Sequence, residues 1–294
     1  MGTISQRPLN AYVRYDGSGR VVAGSLILRR KMPRVGKWQE IPAYQCCNFL
    51  PGPITCTTLG DAAHFVVLGA STVTNTGSSV VNGDLGLSPG TSVVGFPPGI
   101  VNGTKFITDG VAAAGKVSAQ TAFDCLGALT PTSTLSTDIG GTTVIPGVYT
   151  FGSSAAITGT LTLNGGGNPN ALFVFIVPST LVTASSSNVS LTNGTKAGNV
   201  YWIVGSSATL GTFSNMVGNI IAQASVTMTT SAKLVGRAFA LTAAVTLDGN
   251  NITGATCTVN PCPTTTSTST TSSSTSSTST STSSTTTTTT TNLG

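Results

Sequence analysis

The amino-acid sequence predicts a mainly β protein whose central part is a β-solenoid with one long α-helix packed alongside. Three observations predict this fold class: a composition dominated by small polar residues, an internal period of 18 residues, and one alanine-rich segment that interrupts the period. Only 7% of the 294 residues are charged, against about 25% in an ordinary soluble domain. Glycine, serine, threonine and asparagine fill the difference, which is typical of β-scaffolds with many turns.

The period is clearest near the end of the central part. Three consecutive segments of 18 residues begin at Asn199, Val217 and Val235. Each opens with an apolar, strand-like run and ends with a second short strand that contains threonine. Segments that begin at Asn170 and Gly147 fit the same template, the first with an insertion and the second with one residue of slip. A fixed repeat of this length indicates stacked coils, each of which buries its apolar side against its neighbours.

The helix is predicted from the segment Thr104–Leu129, which is rich in alanine and contains no proline. Small and apolar residues recur at helical spacing from Ile107 to Ala122. Thr104 and Thr108 are candidate N-caps, and Pro131 would end the helix. A stripe of small residues suits a helix that lies flat along the face of a sheet.

Composition divides the chain into three segments. Residues 1–53 hold eight basic and two acidic residues, and they are interpreted as a basic N-terminal arm or a small β module. Residues 54–260 form the predicted solenoid domain. Residues 261–294 form a predicted disordered tail, because Thr264–Thr291 consists of serine and threonine alone and has no side chain that can build a core. Such a tail is either an O-glycosylated stalk or an unmodified spacer.

The charge balance bears on partners. The chain outside residues 1–53 holds five basic and six acidic residues, so the solenoid gives no electrostatic reason to expect nucleic acid. The basic arm is a candidate for docking an anionic partner. No clear signal peptide is evident, since the apolar run Val21–Leu28 is followed by Arg29, Arg30 and Lys31. The most apolar stretch, Ala171–Val177, is too short to span a membrane.

No constellation of residues points to catalysis. Gly86–Gly90 matches the G-x-S-x-G nucleophile pattern, but Pro89 follows the serine where a helix must begin. His64 is the single histidine, and the six acids of the solenoid show no pair with glycosidase spacing. The six cysteines are interpreted as structural or unpaired thiols. The sequence therefore predicts no enzyme, no cofactor and no metal site.

One column of threonines stands out when the coils are aligned. Thr180, Thr209 and Thr227 take the same place, Thr246 joins them after a one-residue insertion, and Thr158 joins them after a one-residue slip. Because stacked strands lie about 4.8 Å apart, one residue type at one coil position forms a straight ladder. Each threonine offers a hydroxyl and a methyl group on a branched β-carbon that restricts its rotamers. Such a face can hold a regular layer of water.

A second threonine follows three residues after Thr180, Thr209 and Thr227. An apolar residue that is expected to face the core lies between the two threonines of each pair. The second threonines are Thr183, Thr212 and Thr230, and the apolar residues are Leu181, Leu210 and Met228. Threonine is also favoured in strands wherever one face meets solvent. A ladder therefore also fits a solenoid that serves as a rod or an attachment module.

Five motifs, in this order along the chain, resemble the microbial ice-binding protein family. They are Leu59–Thr104, Asp138–Phe151, Gly159–Phe175, Trp202–Ala222 and Gly236–Ile252. The resemblance covers nearly all of residues 56–256. It implies a discontinuous β-solenoid of triangular section with one long α-helix packed alongside. It also implies a non-enzymatic, extracellular or surface-exposed protein whose partner is the ice crystal surface and which inhibits ice growth and recrystallisation.

In that family the ice-binding surface is a flat β-face of threonine, serine and alanine. Carried onto this sequence, the candidate ice-binding residues are Thr158, Thr180, Thr183, Ser207, Thr209, Thr212, Ser225, Thr227, Thr230, Ala244 and Thr246. The alternative function is that of a surface adhesin or a structural, cellular or viral, fibre protein built on the same solenoid. We expect Met216, Lys233 or Arg237 to point outward from the threonine face if the alternative holds.

Overall fold

The computed structural model describes residues 10–15, 21–31, 38–40 and 56–255. Strands β1 (Asn10–Tyr15), β2 (Val21–Lys31) and β3 (Trp38–Glu40) form an antiparallel sheet in the order β1-β2-β3. The boundary at residue 53 and the partner of the basic arm remain predictions. The predictions for the tail and for most of the cysteines lie outside the described residues, namely 261–294, Cys46, Cys47, Cys257 and Cys262.

The solenoid begins with a 3₁₀ helix, Cys56–His64, and continues with short strands and one long helix. Its first part contains β4 (Phe65–Gly69), β5 (Thr72–Thr76), β6 (Val80–Asn82), β7 (Asp84–Leu87), β8 (Ser92–Val94), β9 (Ile100–Val101), β10 (Lys105–Ile107) and α1 (Gly110–Gly127). Its second part contains β11 (Ser133–Leu135), β12 (Thr143–Val144), β13 (Gly147–Phe151), β14 (Ala155–Ile157), β15 (Thr160–Asn164), β16 (Phe173–Val177), β17 (Leu181–Thr183), β18 (Asn188–Thr192), a short 3₁₀ helix (Ala197–Asn199), β19 (Val200–Val204), β20 (Ala208–Leu210), β21 (Asn215–Ala222), β22 (Val226–Met228), β23 (Lys233–Ala240), β24 (Val245–Asp248) and β25 (Asn251–Thr253).

Each coil contributes one strand to each of three stacks, and the strands within a stack pair in parallel. The first stack, called the helix-covered face, runs β10-β7-β4-β23-β21-β19-β16-β13-β11. The second, called the threonine face, runs β14-β17-β20-β22-β24-β5-β8. The remaining pairings form the third face, in the order β12-β15-β18-β21-β23-β25-β6-β9. Strands β21 and β23 serve two faces because they turn a corner at Gly218 and Gly236, both of which have positive φ. The three stacks enclose one apolar core, so the section is triangular.

The coils are not stacked in chain order. Strands β4, β5 and β6 pair with β23, β24 and β25, so the first coil lies directly against the last one. Strands β10 and β11 lie at opposite ends of the helix-covered face. Helix α1 connects them, and its 18 residues span about 27 Å at 1.5 Å per residue. The predicted discontinuous β-solenoid with one long helix alongside is confirmed.

Helix α1 begins later than predicted. Its N-cap is Asp109, whose side chain accepts a hydrogen bond from the Ala112 N–H at 2.8 Å. Neither Thr104 nor Thr108 caps it, because the residues between them form strand β10, which pairs in parallel with β7. The buried side of the helix consists of small residues and one leucine, which lets it approach the sheet closely. These residues are Ala112, Gly115, Ala119, Ala122 and Leu126.

Aromatic rings at equivalent positions of three coils stack inside the solenoid. Tyr149, Phe175 and Trp202 are paired in register, with ring centroids 5.7 and 4.1 Å apart. The Trp202 Nε1–H donates to the Val217 carbonyl at 3.0 Å, so the one polar group of this buried indole is satisfied. Within the described ranges, no helix is long and apolar enough to cross a membrane.

Candidate functional site

The threonine face has a straight central column of outward side chains. The register pairs Thr209 with Thr227, Thr227 with Thr246, and Thr246 with Thr74. All four are partly exposed. The residues on either side of them in each strand point into the core; among these are Leu210, Met228 and Leu247, which have no exposed surface. The column continues on both sides with smaller or apolar side chains, namely Val94, Val182 and Ala156.

Two outer columns flank the central one. The first outer column lies two residues before it in each coil and consists of Ser92, Thr72, Ala244, Ser225, Ser207, Thr180 and Ser154. The second lies two residues after it and consists of Thr76, Asp248, Thr229, Gly211, Ala184 and Thr158. Hydroxyl groups of neighbouring coils bind each other in the first outer column. Ser225 Oγ donates to Ser207 Oγ at 2.9 Å, and Thr180 Oγ1 donates to Ser154 Oγ at 2.9 Å.

The register changes the place of two predicted residues. Thr180 and Thr158 were aligned with Thr209, but Val182 and Ala156 occupy those positions of the central column. Thr180 instead belongs to the first outer column and Thr158 to the second. The alignment of Thr180 is wrong by two residues because it matches Asn170 with Asn199, whereas Phe173 pairs with Val200 and so places Leu172 opposite Asn199. The slip that selects Thr158 has the wrong direction, since Gly147 pairs with Phe173 and therefore aligns with Val200.

The second threonines of the predicted motif fall in three different environments. Thr183 is only 3% exposed, lies in the inward column with Leu210, and accepts a hydrogen bond from the Gly211 N–H at 2.9 Å. Thr183 therefore does not reach the surface. Thr212 is half-buried at the corner after β20. Thr230 is exposed at the next corner and donates to Asp248 Oδ2 at 2.5 Å.

Strand β5 contributes three threonines that the sequence analysis missed. Thr72, Thr74 and Thr76 alternate outward, one in each column. Thr74 Oγ1 donates to Thr246 Oγ1 at 3.4 Å across 172 residues of sequence. The alternation of threonine with other residues in this segment indicates a strand with one exposed side. Its neighbour in the sheet was not readable from the sequence, because the partner strand lies near the other end of the domain.

The threonine face is almost free of charge. Met216 is 1% exposed, and Arg237 is also buried. Lys233 is exposed but begins strand β23 on the third face. Among the residues of the three columns, Asp248 is the one ionisable group, and it lies in an outer column where the Thr230 hydroxyl binds it. The three side chains that would have favoured an adhesive surface are therefore absent from this face.

The other two faces differ in chemistry. The helix-covered face is closed by α1 and the 3₁₀ helix, which pack on Phe65, Tyr201 and Phe239. The third face also has hydroxyl side chains in register, namely Thr143, Thr162 and Ser190, but it carries larger amide side chains and Lys233 as well. There, Asn102 Nδ2 donates to Asn82 Oδ1 at 2.9 Å. Threonine in register on four adjacent strands, without a charged side chain in the same column, thus distinguishes the threonine face.

Comparison with known proteins agrees with this arrangement. A family model described as Ice-binding-like matches residues 67–253. An ice-binding protein from Nostoc sp. (strain HG1) is 53% identical over 199 residues, which are 67% of this chain and 74% of the relative. An ice-binding protein from Flavobacterium frigoris (strain PS1) is 32% identical in an alignment of 210 positions that covers 66% of this chain and 75% of the relative.

Solved structures show the same fold. The crystal structure of an ice-binding protein from the Antarctic ascomycete Antarctomyces psychrotrophicus superposes with a TM-score of 0.66 at 44% identity, over 67% of this chain and 98% of that one. An ice-binding protein from an Antarctic biological consortium superposes with a TM-score of 0.67 at 45% identity, over 70% and 92%. The chain therefore belongs to the ice-binding-like protein family.

Proposed function

We propose that this protein adsorbs to ice through the threonine face, and that it restrains ice growth and recrystallisation without catalysing a reaction. The observation that carries the proposal is the central column, in which Thr209, Thr227, Thr246 and Thr74 lie in register on four adjacent strands. The family resemblance alone does not select a face. The column supports the threonine face, because the same residue type repeats there in register on four adjacent strands.

The physical argument rests on how such a surface orders water. Adjacent strands repeat the same hydroxyl and methyl pair about every 4.8 Å along the stack. The branched β-carbon limits the rotamers of each threonine, so little side-chain entropy is lost when water orders beside it. Hydroxyl groups can bond to the ordered water while methyl groups are enclosed by it. Charged side chains, which would orient water around themselves, are missing from the central column.

We propose that the ice-contacting surface consists of the three columns from β17 to β5. Of the residues predicted from the sequence it keeps Thr180, Ser207, Thr209, Ser225, Thr227, Ala244 and Thr246. To these it adds Thr72, Thr74, Thr76, Val182, Ala184, Gly211, Thr229 and Asp248. The corner residues Thr212 and Thr230 border it, Thr158 lies one coil beyond it, and Thr183 is left out because it is buried.

We further propose that the protein acts outside the cell or at its surface. Adsorption to a crystal face needs direct access of the flat surface to ice. Relatives that are named for ice binding support ice as the partner. The partly exposed threonine face supports direct contact between the protein and ice. The anionic partner of the basic arm remains a separate prediction.

The test compares one tyrosine substitution on the threonine face with a matched one on the third face. Thr227 and Thr162 are both half-buried threonines in the middle of a strand, but Thr162 lies in β15 on the third face. We expect the full chain to inhibit ice recrystallisation, Thr227→Tyr to abolish most of that activity, and Thr162→Tyr to keep it. A wild-type chain no more active than an inert protein would contradict ice binding. Equal loss in both variants would contradict the choice of face.

A further inference from the structure

One corner of the solenoid repeats the same backbone conformation in coil after coil. Where the chain turns from the threonine face to the third face, one residue per coil has a positive φ between 58° and 83°. Glycine adopts this left-handed region freely, and serine is tolerated there more readily than a bulky residue. The corner residues are Gly95, Gly77, Gly249, Ser231, Phe213, Ser186, Gly159 and Gly141.

Phe213 is the exception in this row. It has a φ of 58°, although its bulky side chain makes the left-handed region sterically unfavourable. Its backbone makes the regular contact of the corner, since the Phe213 N–H donates to the Thr230 carbonyl at 3.0 Å. Serine occupies the equivalent positions 231 and 186 in the coils on either side. Nothing in the path of the chain therefore requires an aromatic residue here.

The ring does not contribute to the core either. The Phe213 side chain is 61% exposed and belongs to neither of the two apolar clusters of the solenoid. An exposed apolar group on a conformation that disfavours it is a feature that stability does not explain. Non-glycine residues that are held in the left-handed conformation concentrate at functional sites.

The position of Phe213 links it to the threonine face. It comes two residues after Gly211 of the second outer column. In the next coil, two of the three column positions are apolar, since Val182 is 45% exposed and Ala184, two residues later, is half-buried. No carboxylate or amine of the three columns lies in these two coils.

We propose that Phe213 is a further ice-contacting residue that extends the threonine face with an apolar rim at this corner. The inference rests on the proposed function. The ring adds apolar area that is removed from liquid water when the face adsorbs, and it does so without a charge that would disturb ordered water. Phe213 follows the end of strand β20 and is not a member of the three columns, so its large side chain does not replace a small one within their rows.

The test separates contact with ice from stability. In Phe213→Gly and Phe213→Ser the backbone strain is relieved, so we expect the unfolding midpoint to stay the same or rise. We expect recrystallisation inhibition and thermal hysteresis to fall by about two- to tenfold, as for the loss of one large apolar contact. The control is Ser231→Gly, which changes the same corner position in the next coil without removing a ring.

Three outcomes are distinguishable. Loss of activity in both Phe213 variants but not in Ser231→Gly supports the proposal. Full activity in the Phe213 variants, with a wild type that is active and Thr227→Tyr inactive, overturns the rim but leaves the proposed function intact. A wild type without activity overturns both.

Discussion

Several exposed hydroxyl groups in the outer columns of the threonine face are held in place by hydrogen bonds to neighbouring coils. Ser225 Oγ donates to Ser207 Oγ, and Thr229 Oγ1 donates to the Leu210 carbonyl at 2.7 Å. Side chains that are already fixed lose little conformational freedom when a second surface orders on them. These outer residues are therefore preorganised, and the branched β-carbon restricts the threonines of the central column. A single bulky side chain in the central column is expected to disturb several rows at once.

We expect Thr74 to be as important for ice binding as Thr227, although the two are far apart in sequence. We expect Thr74→Tyr to reduce recrystallisation inhibition by about tenfold or more, since its ring would stand in the central column. The matched control is Thr253→Tyr, in strand β25 on the third face, which follows β24 in the chain. Unchanged activity in Thr74→Tyr would show that the N-terminal coil lies outside the ice-contacting surface.

At the scale of elements, the repeat was predictable only where the coils are equally long. Ser207 and Ser225 stand 18 residues apart, and this spacing is visible in the sequence. Thr180 and Ser154 are neighbours across 26 residues, because the connecting loops differ in length. Loop length carries no information about register, which packing of the core decides. The fold class and Thr209, Thr227 and Thr246 were therefore predictable, whereas Val182 and Thr74 were not.

The packing of helix α1 on the solenoid buries most of the side-chain amine of Lys116. Lys116 Nζ donates to the carbonyls of Ala240 and Leu241 at 2.6 and 2.8 Å, at the end of strand β23. Burial between helix and sheet lowers the pKa of Lys116 to about 8. The charged form is therefore less favourable in the folded chain than in the unfolded one, where the pKa is about 10.4.

The sign of the resulting pH dependence follows from proton counting. Between about pH 8 and pH 10 the unfolded chain binds more protons at Lys116 than the folded chain, so stability rises with pH in this window. We expect the free energy of unfolding of the wild type to increase relative to that of Lys116→Met from pH 8 to pH 10. Denaturant titrations of both proteins across this range measure it. A difference that is constant with pH would mean that the amine is not desolvated.

At the scale of the whole molecule, the contact between the first and last coils holds the stack together. Arg237 of β23 is buried, and its Nη2 donates to the Ala63 carbonyl at 2.9 Å in the 3₁₀ helix that precedes the first coil. Its Nη1 donates to Asn219 Oδ1 at 3.0 Å in the neighbouring coil. Burial lowers the pKa of Arg237, and the two neutral acceptors replace part of the lost hydration.

Removing the hydrogen bonds of Arg237 to Ala63 and Asn219 is expected to lower the free energy of unfolding. Arg237→Met leaves the Ala63 carbonyl and the Asn219 amide oxygen without their donors, which costs about 1–3 kcal/mol. Thermal or denaturant unfolding measures the loss. Lys233→Met, on the same strand but exposed, is the control and is expected to change stability by less than about 0.5 kcal/mol. Equal or greater stability of Arg237→Met would show that desolvation of the charge outweighs its hydrogen bonds.

The coils at the two ends of the solenoid are not formed by the first and last segments of its chain. In a solenoid whose coils are stacked in sequence order, deletion of terminal residues removes coils from the ends of the stack. Here the tips are made by internal segments around β8 and β14, and the last coil is an inner layer between β22 and β5. Cutting the chain before β24 would remove a layer from the middle and separate Thr227 from Thr74. The threonine column is continuous only as long as both chain ends of the solenoid remain interleaved.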